Sequence, residues 1–261
     1  MGEVNYTPVI QDMIWSYSRI KSFEDCPYRW YLRYIRRLKG KEMFFANYGS
    51  FIHKLIEQHY TEGKTPSQLC DIYMCDFKNQ VRGNAPNPKV FGNYFRSGLQ
   101  YLREFVPFPY HPLAIEKRVD FCLDSIPFIG YIDFLGEKDG ELYVVDNKSR
   151  NLKPRSKRAK PTKTDGELDE YLTQLYLYSA AVEQEYGKLP KALCFNCFRE
   201  QSLIVEPFNK EAYDASRQWL SDKVAEITKE TEFRPNADFF KCRHLCEMQE
   251  HCEYYELTQK R

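Results

Sequence analysis

Residues 113–150 are strand-like, and over 115–123 the apolar Ile115, Val119, Phe121 and Leu123 keep to a two-residue period. That period predicts half-buried strands. A first strand is expected around 115–123, then FIGYIDFL at 128–135 and ELYVVDNK at 141–148. Asp139-Gly140, between the last two, is a dipeptide favoured by two-residue hairpin turns, whose central residues take positive φ. Outside this stretch the period lengthens toward that of a helix. Residues 16–38 predict two short helices broken at Cys26-Pro27, with Ser16 or Ser18 capping the first and Pro27 in the first turn of the second. Residues 49–61 put Ile52, Leu55, Ile56 and His59 on one helical stripe, and turn residues at 82–93 separate this helical region from the next helix. A helix at about 167–186, a strand near 191–206 and a helix near 210–230 lead to a tail, 233–261, with three cysteines. The succession predicts an α/β fold: a small mixed β-sheet flanked by helices, with an N-terminal helical segment and a Cys-rich C-terminal tail. One domain is expected over 1–261, divided into a helical region at 16–110, a core at 111–210, and a C-terminal helix and tail at 211–261.

Charge and composition narrow the chemistry. The net charge is only +1, so any affinity for nucleic acid must come from a local basic patch. No apolar run is long enough to span a membrane. MGEVNYTPVI lacks the basic and apolar regions of a secretory leader, and Tyr6 stands where a myristoylation motif needs Ser or Thr. An intracellular, cytoplasmic protein is expected, and its nine cysteines then point to metal rather than to disulfides. EGKTP at 62–66 is not a phosphate loop, because Gln58 occupies the position where that motif needs Gly.

The hairpin turn sets a register. If Lys138 pairs with Glu141, counting outward places Asp133 opposite Asp146, and opposed side chains share a face about 5 Å apart. Lys148, two residues beyond Asp146, points to that face as well. Two acids so close repel, and a hard divalent cation, Mg²⁺ or Mn²⁺, would relieve them. With a lysine alongside, these are the parts that phosphodiester hydrolysis requires. A salt-bridged surface hairpin is the alternative.

GYID at 130–133 followed by VVDNK at 144–148 resembles the core of the PD-(D/E)XK nuclease superfamily, whose core is restriction-endonuclease-like. Gly49-Ser-Phe-Ile-His53 resembles the upstream helical motif of its RecB-like branch, and Gln174-Leu-Tyr-Leu-Tyr178 resembles that branch's downstream motif. The resemblance implies Asp133, Asp146 and Lys148 as catalytic residues, with Gln174 and Tyr178 supporting substrate and site. It also implies His53, Asp133, Asp146 and the Asn147 carbonyl as holders of Mg²⁺ or Mn²⁺. Glu116 sits where relatives often place another acid, and a solvated strand residue is an equal reading of it.

Cys242-x₃-Cys246-x₅-Cys252 leaves a four-coordinate site one ligand short. The chain is similar here to the iron–sulfur subset of RecB-like nucleases, which includes CRISPR-associated RecB-like nucleases and the AddB nuclease domain. That similarity implies Cys26 as the fourth ligand of a [4Fe–4S] cluster. The three-residue gap departs from the two-residue gap of many relatives, so Zn²⁺ with His244 or His251 stays open. Cys194 and Cys197, in a strand, face opposite ways and are expected to be buried, and Cys70, Cys75 and Cys122 read as core.

KSRNLKPRSKRAKPTK at 148–163 holds eight Lys or Arg and is either a solvated loop or a DNA contact beside the metal. The resulting expectation is a metal-dependent deoxyribonuclease, exonucleolytic on single-stranded DNA ends. No helicase motif is present, so unwinding would come from a helicase or from a CRISPR or recombination protein. The rival is a non-catalytic DNA-binding or adaptor subunit of a repair, recombination or CRISPR adaptation complex. A sequence-specific endonuclease would need base-reading elements, and none is visible.

Overall fold

A computed structural model describes residues 5–259. Residues 1–4 and 260–261 lie outside it, and with them the first part of the stretch over which the leader and lipidation motifs were sought. The chain opens with α1 (Thr7–Gln11), α2 (Tyr17–Asp25) and α3 (Pro27–Trp30), the last continuing into a wider π turn, Tyr31–Ile35. Ser16 caps α2 by accepting from Arg19 N, and Cys26 breaks the two helices in an extended conformation, as the Cys-Pro pair predicts. A helical unit follows: α4 (Phe44–Glu62), α5 (Pro66–Gln80) and α6 (Pro88–Arg103). It has its own aromatic core around Tyr48, Phe51, Tyr73, Phe77 and Tyr101.

The sheet has five strands in sequential order, β1 (His111–Leu123), β2 (Ile126–Lys138), β3 (Glu141–Lys148), β4 (Ala192–Cys197) and β5 (Ser202–Pro207). It is mixed: β3 and β4 run parallel, the other pairs antiparallel. The parallel pair requires a crossover, and α7 (Lys163–Tyr186) supplies it. Then come α8 (Lys210–Lys229), α9 (Phe239–His244) and α10 (Tyr255–Gln259). Asp139 and Gly140 both take positive φ, and Lys138 pairs with Glu141 as the turn chemistry demands. Among the described residues no helix is long and apolar enough to cross a membrane.

Three expectations need correction. The strand near 191–206 is two strands, because the chain reverses at 198–201 with Gln201 at φ 51°, a turn that no Gly, Pro or Asn announces. The helix at 167–186 starts earlier, at Lys163, where Thr162 and Asp165 form a capping box. Cys75 and Cys122 are exposed, and only Cys70 of that trio is buried. Cys194 and Cys197 are both buried on opposite faces of β4, one in the small core around Phe134 and the other in the core under α7.

Gly130 lies where α7 crosses β2. A Cβ there would fall 2.3 Å from Cε1 of Tyr178, a ring that is itself buried. Gly130→Ala should therefore cost about 1–3 kcal/mol by overpacking, read as a lower midpoint in urea unfolding. An unchanged midpoint would mean that the α7–sheet contact is loose.

Candidate active site

The alternation along β1 and β2 breaks at one level. Ile132 and Leu135 belong to the core under α7, whereas Phe134 and Ile115 belong to the small core on the other face. Glu116 and Asp133 drop out of the ladder there, between the pairs Ile115↔Phe134 and Lys117↔Ile132, and Glu116 takes φ 44°. Both carboxylates thereby turn toward α4. His53 meets them, with Nδ1 at 3.5 Å from Glu116 Oε1 and 3.4 Å from Asp133 Oδ2. One ligand atom from each of these three residues lies within 4.8 Å of the other two.

On the neighbouring strand the β2–β3 ladder ends at Phe134↔Val145, one pair short of the expected opposition of Asp133 and Asp146. Asp133 Oδ2 accepts instead from the Asn147 backbone N–H at 2.7 Å. His53 Nε2 donates to the Asn147 carbonyl at 2.9 Å, which leaves Nδ1 for the acids. Asn147 is fixed from behind, because Asn196 Nδ2 donates to its Oδ1 at 2.7 Å and to Tyr101 Oη at 2.8 Å. Asn196 escaped the sequence reading, although a polar residue within the otherwise apolar ALCFNC was a signal that it has buried partners.

Lys148 sits across the same strand end. Its Nζ is 2.8 Å from Asp146 Oδ2 and donates to Gln174 Oε1 at 3.0 Å, and Gln174 Nε2 donates to Tyr178 Oη at 3.2 Å. The Tyr171 ring lies 5.2 Å from the ammonium. α7 sets this relay, since Gln174 and Tyr178 are one turn apart on its buried face. The structure thus brings together Asp133, Asp146, Asn147, Lys148, His53, Gln174 and Tyr178, and adds Glu116.

The electrostatics are those of a crowded acidic pocket. Burial and the charge of Asp146 hold the Asp133 carboxyl well above the usual range. Burial alone would lower the His53 pKa, but Asp133, Glu116 and Asp146 outweigh it and raise the imidazolium to about 9. Burial also works against the Lys148 charge, and Asp146 again prevails and raises its pKa. Asp146 Oδ2 is buried and receives no hydrogen bond of good geometry. Carboxylates crowded against one another, with one imidazole, are the donor set that fits a hard divalent ion such as Mg²⁺ or Mn²⁺.

The four tail-site cysteines also meet. Cys26, Cys242, Cys246 and Cys252 line one cavity, closed by Leu32 and Met248 among others. All four are free thiols, and burial raises the pKa of Cys246 to about 12 and that of Cys252 as well. Among the described residues, no three of these sulfurs come within 4.8 Å of one another. His251 donates to the Lys39 carbonyl at 3.0 Å and His244 rests on Phe240, so neither lines the cavity. The tail is held to the N-terminal segment by Tyr28–Glu253 at 2.8 Å and Arg33–Glu247 at 3.0 Å.

Fold and site are of the kind that holds a divalent cation beside a lysine at the end of a mixed sheet. The chain belongs to the PD-(D/E)XK nuclease superfamily, whose sequence profile matches residues 14–253. No curated protein matches it in sequence. Among solved structures it is similar to a presumed exonuclease from Eubacterium rectale, at 14% identity and TM-score 0.52 with both chains covered in full. It is also similar to SSO0001, at 15% identity and TM-score 0.32, over 79% of this chain and 95% of that one.

The His53 environment has a pH signature. Without metal, the imidazolium persists up to about pH 9, and a ligand must lose its proton to bind metal. Apparent Mn²⁺ affinity should therefore rise with pH between about 7 and 9, by up to about tenfold per unit for one displaced proton. Calorimetric titration checks this. His53→Gln should flatten the profile, and a slope that persists in that variant would remove His53 from the metal site.

Proposed function

We propose that this protein is a Mg²⁺- or Mn²⁺-dependent deoxyribonuclease that hydrolyses phosphodiester bonds at single-stranded DNA ends. The observation that carries the proposal is the convergence of Asp133, Glu116, His53 and Asp146 on one strand end with Lys148. A divalent cation supplies Lewis acidity toward a phosphoryl oxygen and makes water a better nucleophile at neutral pH. Asp133 and Asp146 hold it, with His53 and Glu116 beside them and the Asn147 carbonyl at the same level. Lys148, tethered between Asp146 and Gln174, presents its ammonium to charge that develops on the phosphate. Tyr178 and Gln174 keep that ammonium in place, and its stacking on Tyr171 limits its wandering. DNA is then the substrate, and with no base-reading element the activity is expected to ignore sequence.

The same reading assigns the cysteine cavity to a structural [4Fe–4S] cluster held by Cys26, Cys242, Cys246 and Cys252. Four thiols without histidine support it. Its role is to staple the N-terminal helices to the tail.

Asp146→Asn and Lys148→Gln should each lower Mn²⁺-dependent cleavage of end-labelled DNA by about a hundredfold or more while the protein still melts cooperatively. Full activity in a folded Asp146→Asn protein would sink the assignment. Circular DNA that resists while linear DNA is degraded supports action at ends. For the cluster, protein prepared without oxygen should be brown and carry about four irons per chain, and Cys26→Ser should lose colour and melting temperature together. One zinc per chain and no iron would overturn the cluster and leave the nuclease reading intact.

A further inference from the structure

The basic loop after Lys148 offers fewer free cations than its composition suggests. Arg155 is committed to Asp169 at 2.6 Å and Glu206 at 2.8 Å. A different arginine, outside that loop, is held unpaired beside the site. Arg199 follows β4, whose Cys197 is the register partner of Lys148. Phe198 N donates to the Lys148 carbonyl at 3.3 Å, and Arg199 Nη1 reaches the Ser149 carbonyl at 3.4 Å. The guanidinium carbon lies 4.0 Å from the centroid of the Tyr94 ring on α6. Tyr94 is itself wedged against Tyr48, 4.8 Å away between centroids, in the core of the helical unit.

Arg199 Nε is buried and has no hydrogen-bond partner. Unlike Arg155, Arg199 makes no ion pair among the described residues, Glu200 next to it included. A half-buried guanidinium is costly to leave without an anion. The planar group, held over a tyrosine ring and with most donors uncommitted, is of the kind that recognises phosphate through paired N–H groups. It is two residues along from the neighbour of Lys148, on the side where the helical unit faces the sheet end.

We infer that Arg199, braced on Tyr94, is a phosphate clamp that binds a backbone phosphate of a nucleic-acid strand next to the one hydrolysed. This rests on the proposed nuclease reading and adds a binding residue to it. A clamp built from the helical unit and the β4–β5 turn grips the strand by charge and planarity, so it holds any sequence alike.

The test is binding of a labelled oligo(dT) followed by fluorescence anisotropy at several salt concentrations, in Ca²⁺ to hold back cleavage, with cleavage in Mn²⁺ measured separately. Arg199→Ala should bind about tenfold more weakly, and the slope of log affinity against log salt should shrink by about 0.7, one single-strand phosphate. A merely structural role would not move that slope. Arg199→Lys, which keeps the charge but loses the fork, should keep the slope and still lose affinity. An unchanged slope in folded Arg199→Ala overturns the clamp. If that variant does not fold, unchanged affinity in Arg199→Lys overturns it. Wild-type protein that binds but never cleaves refutes the nuclease reading and leaves the clamp standing. Wild-type protein that does not bind refutes both.

Discussion

Like charge forced together under cover is the constraint on which the rest of the structure depends. Two unit charges about 4 Å apart at an effective dielectric near 20 repel by roughly 4 kcal/mol, and this strand end gathers three carboxylates. The fold brings cations to them from separate places: His53 from α4, and Lys148 from the same strand as Asp146. Each of those side chains is oriented in turn, His53 by the Asn147 carbonyl and Lys148 by Gln174. The helical unit and the crossover helix can be understood as the supports of this one balance. The residual strain, visible in the raised pKa of Asp133 and the left-handed backbone of Glu116, has the sign expected of a site shaped for a multivalent cation.

Much of this was legible in the sequence because it depends on short-range rules. The Asp139-Gly140 turn fixed the register of β2 and β3 as far as Phe134↔Val145, and the helical spacing of Gln174 and Tyr178 put both on one face. The reading says less where the ladder lapses. Counting outward from the turn carries Asp133 to the position opposite Asp146, and that register holds as far as Phe134↔Val145, but Glu116 and Asp133 form no ladder pair, and no local residue type announces such a lapse. The reversal at 198–201 was hidden for a related reason, since Arg199-Glu200-Gln201 lacks the usual turn residues. The cap of α5 was legible and was passed over. Thr65-Pro66 with Gln68 is a complete capping box.

Some residues could not be assigned because their partners are distant in sequence. Asn196 reaches Tyr101, and Arg199 reaches Tyr94, contacts that no periodicity encodes. The glycines are easier to interpret once the partners are known. Gly130 yields to the Tyr178 ring, and Gly40 yields to Glu247, whose Cγ would stand 2.4 Å from an added Cβ. Both mark places where elements far apart in the chain press directly on backbone.

The cavity shared by Cys26 and the three tail cysteines spans the chain in another sense. Synthesis runs from the amino end, and the sheet, its crossover helix and the helical unit are all made before Cys252 leaves the ribosome. Cys26 must therefore wait, its thiol without companions, through the emergence of more than two hundred residues. Closing so long a loop costs entropy, so the walls of this cavity come together only once the N-terminal helices and the tail have both been made.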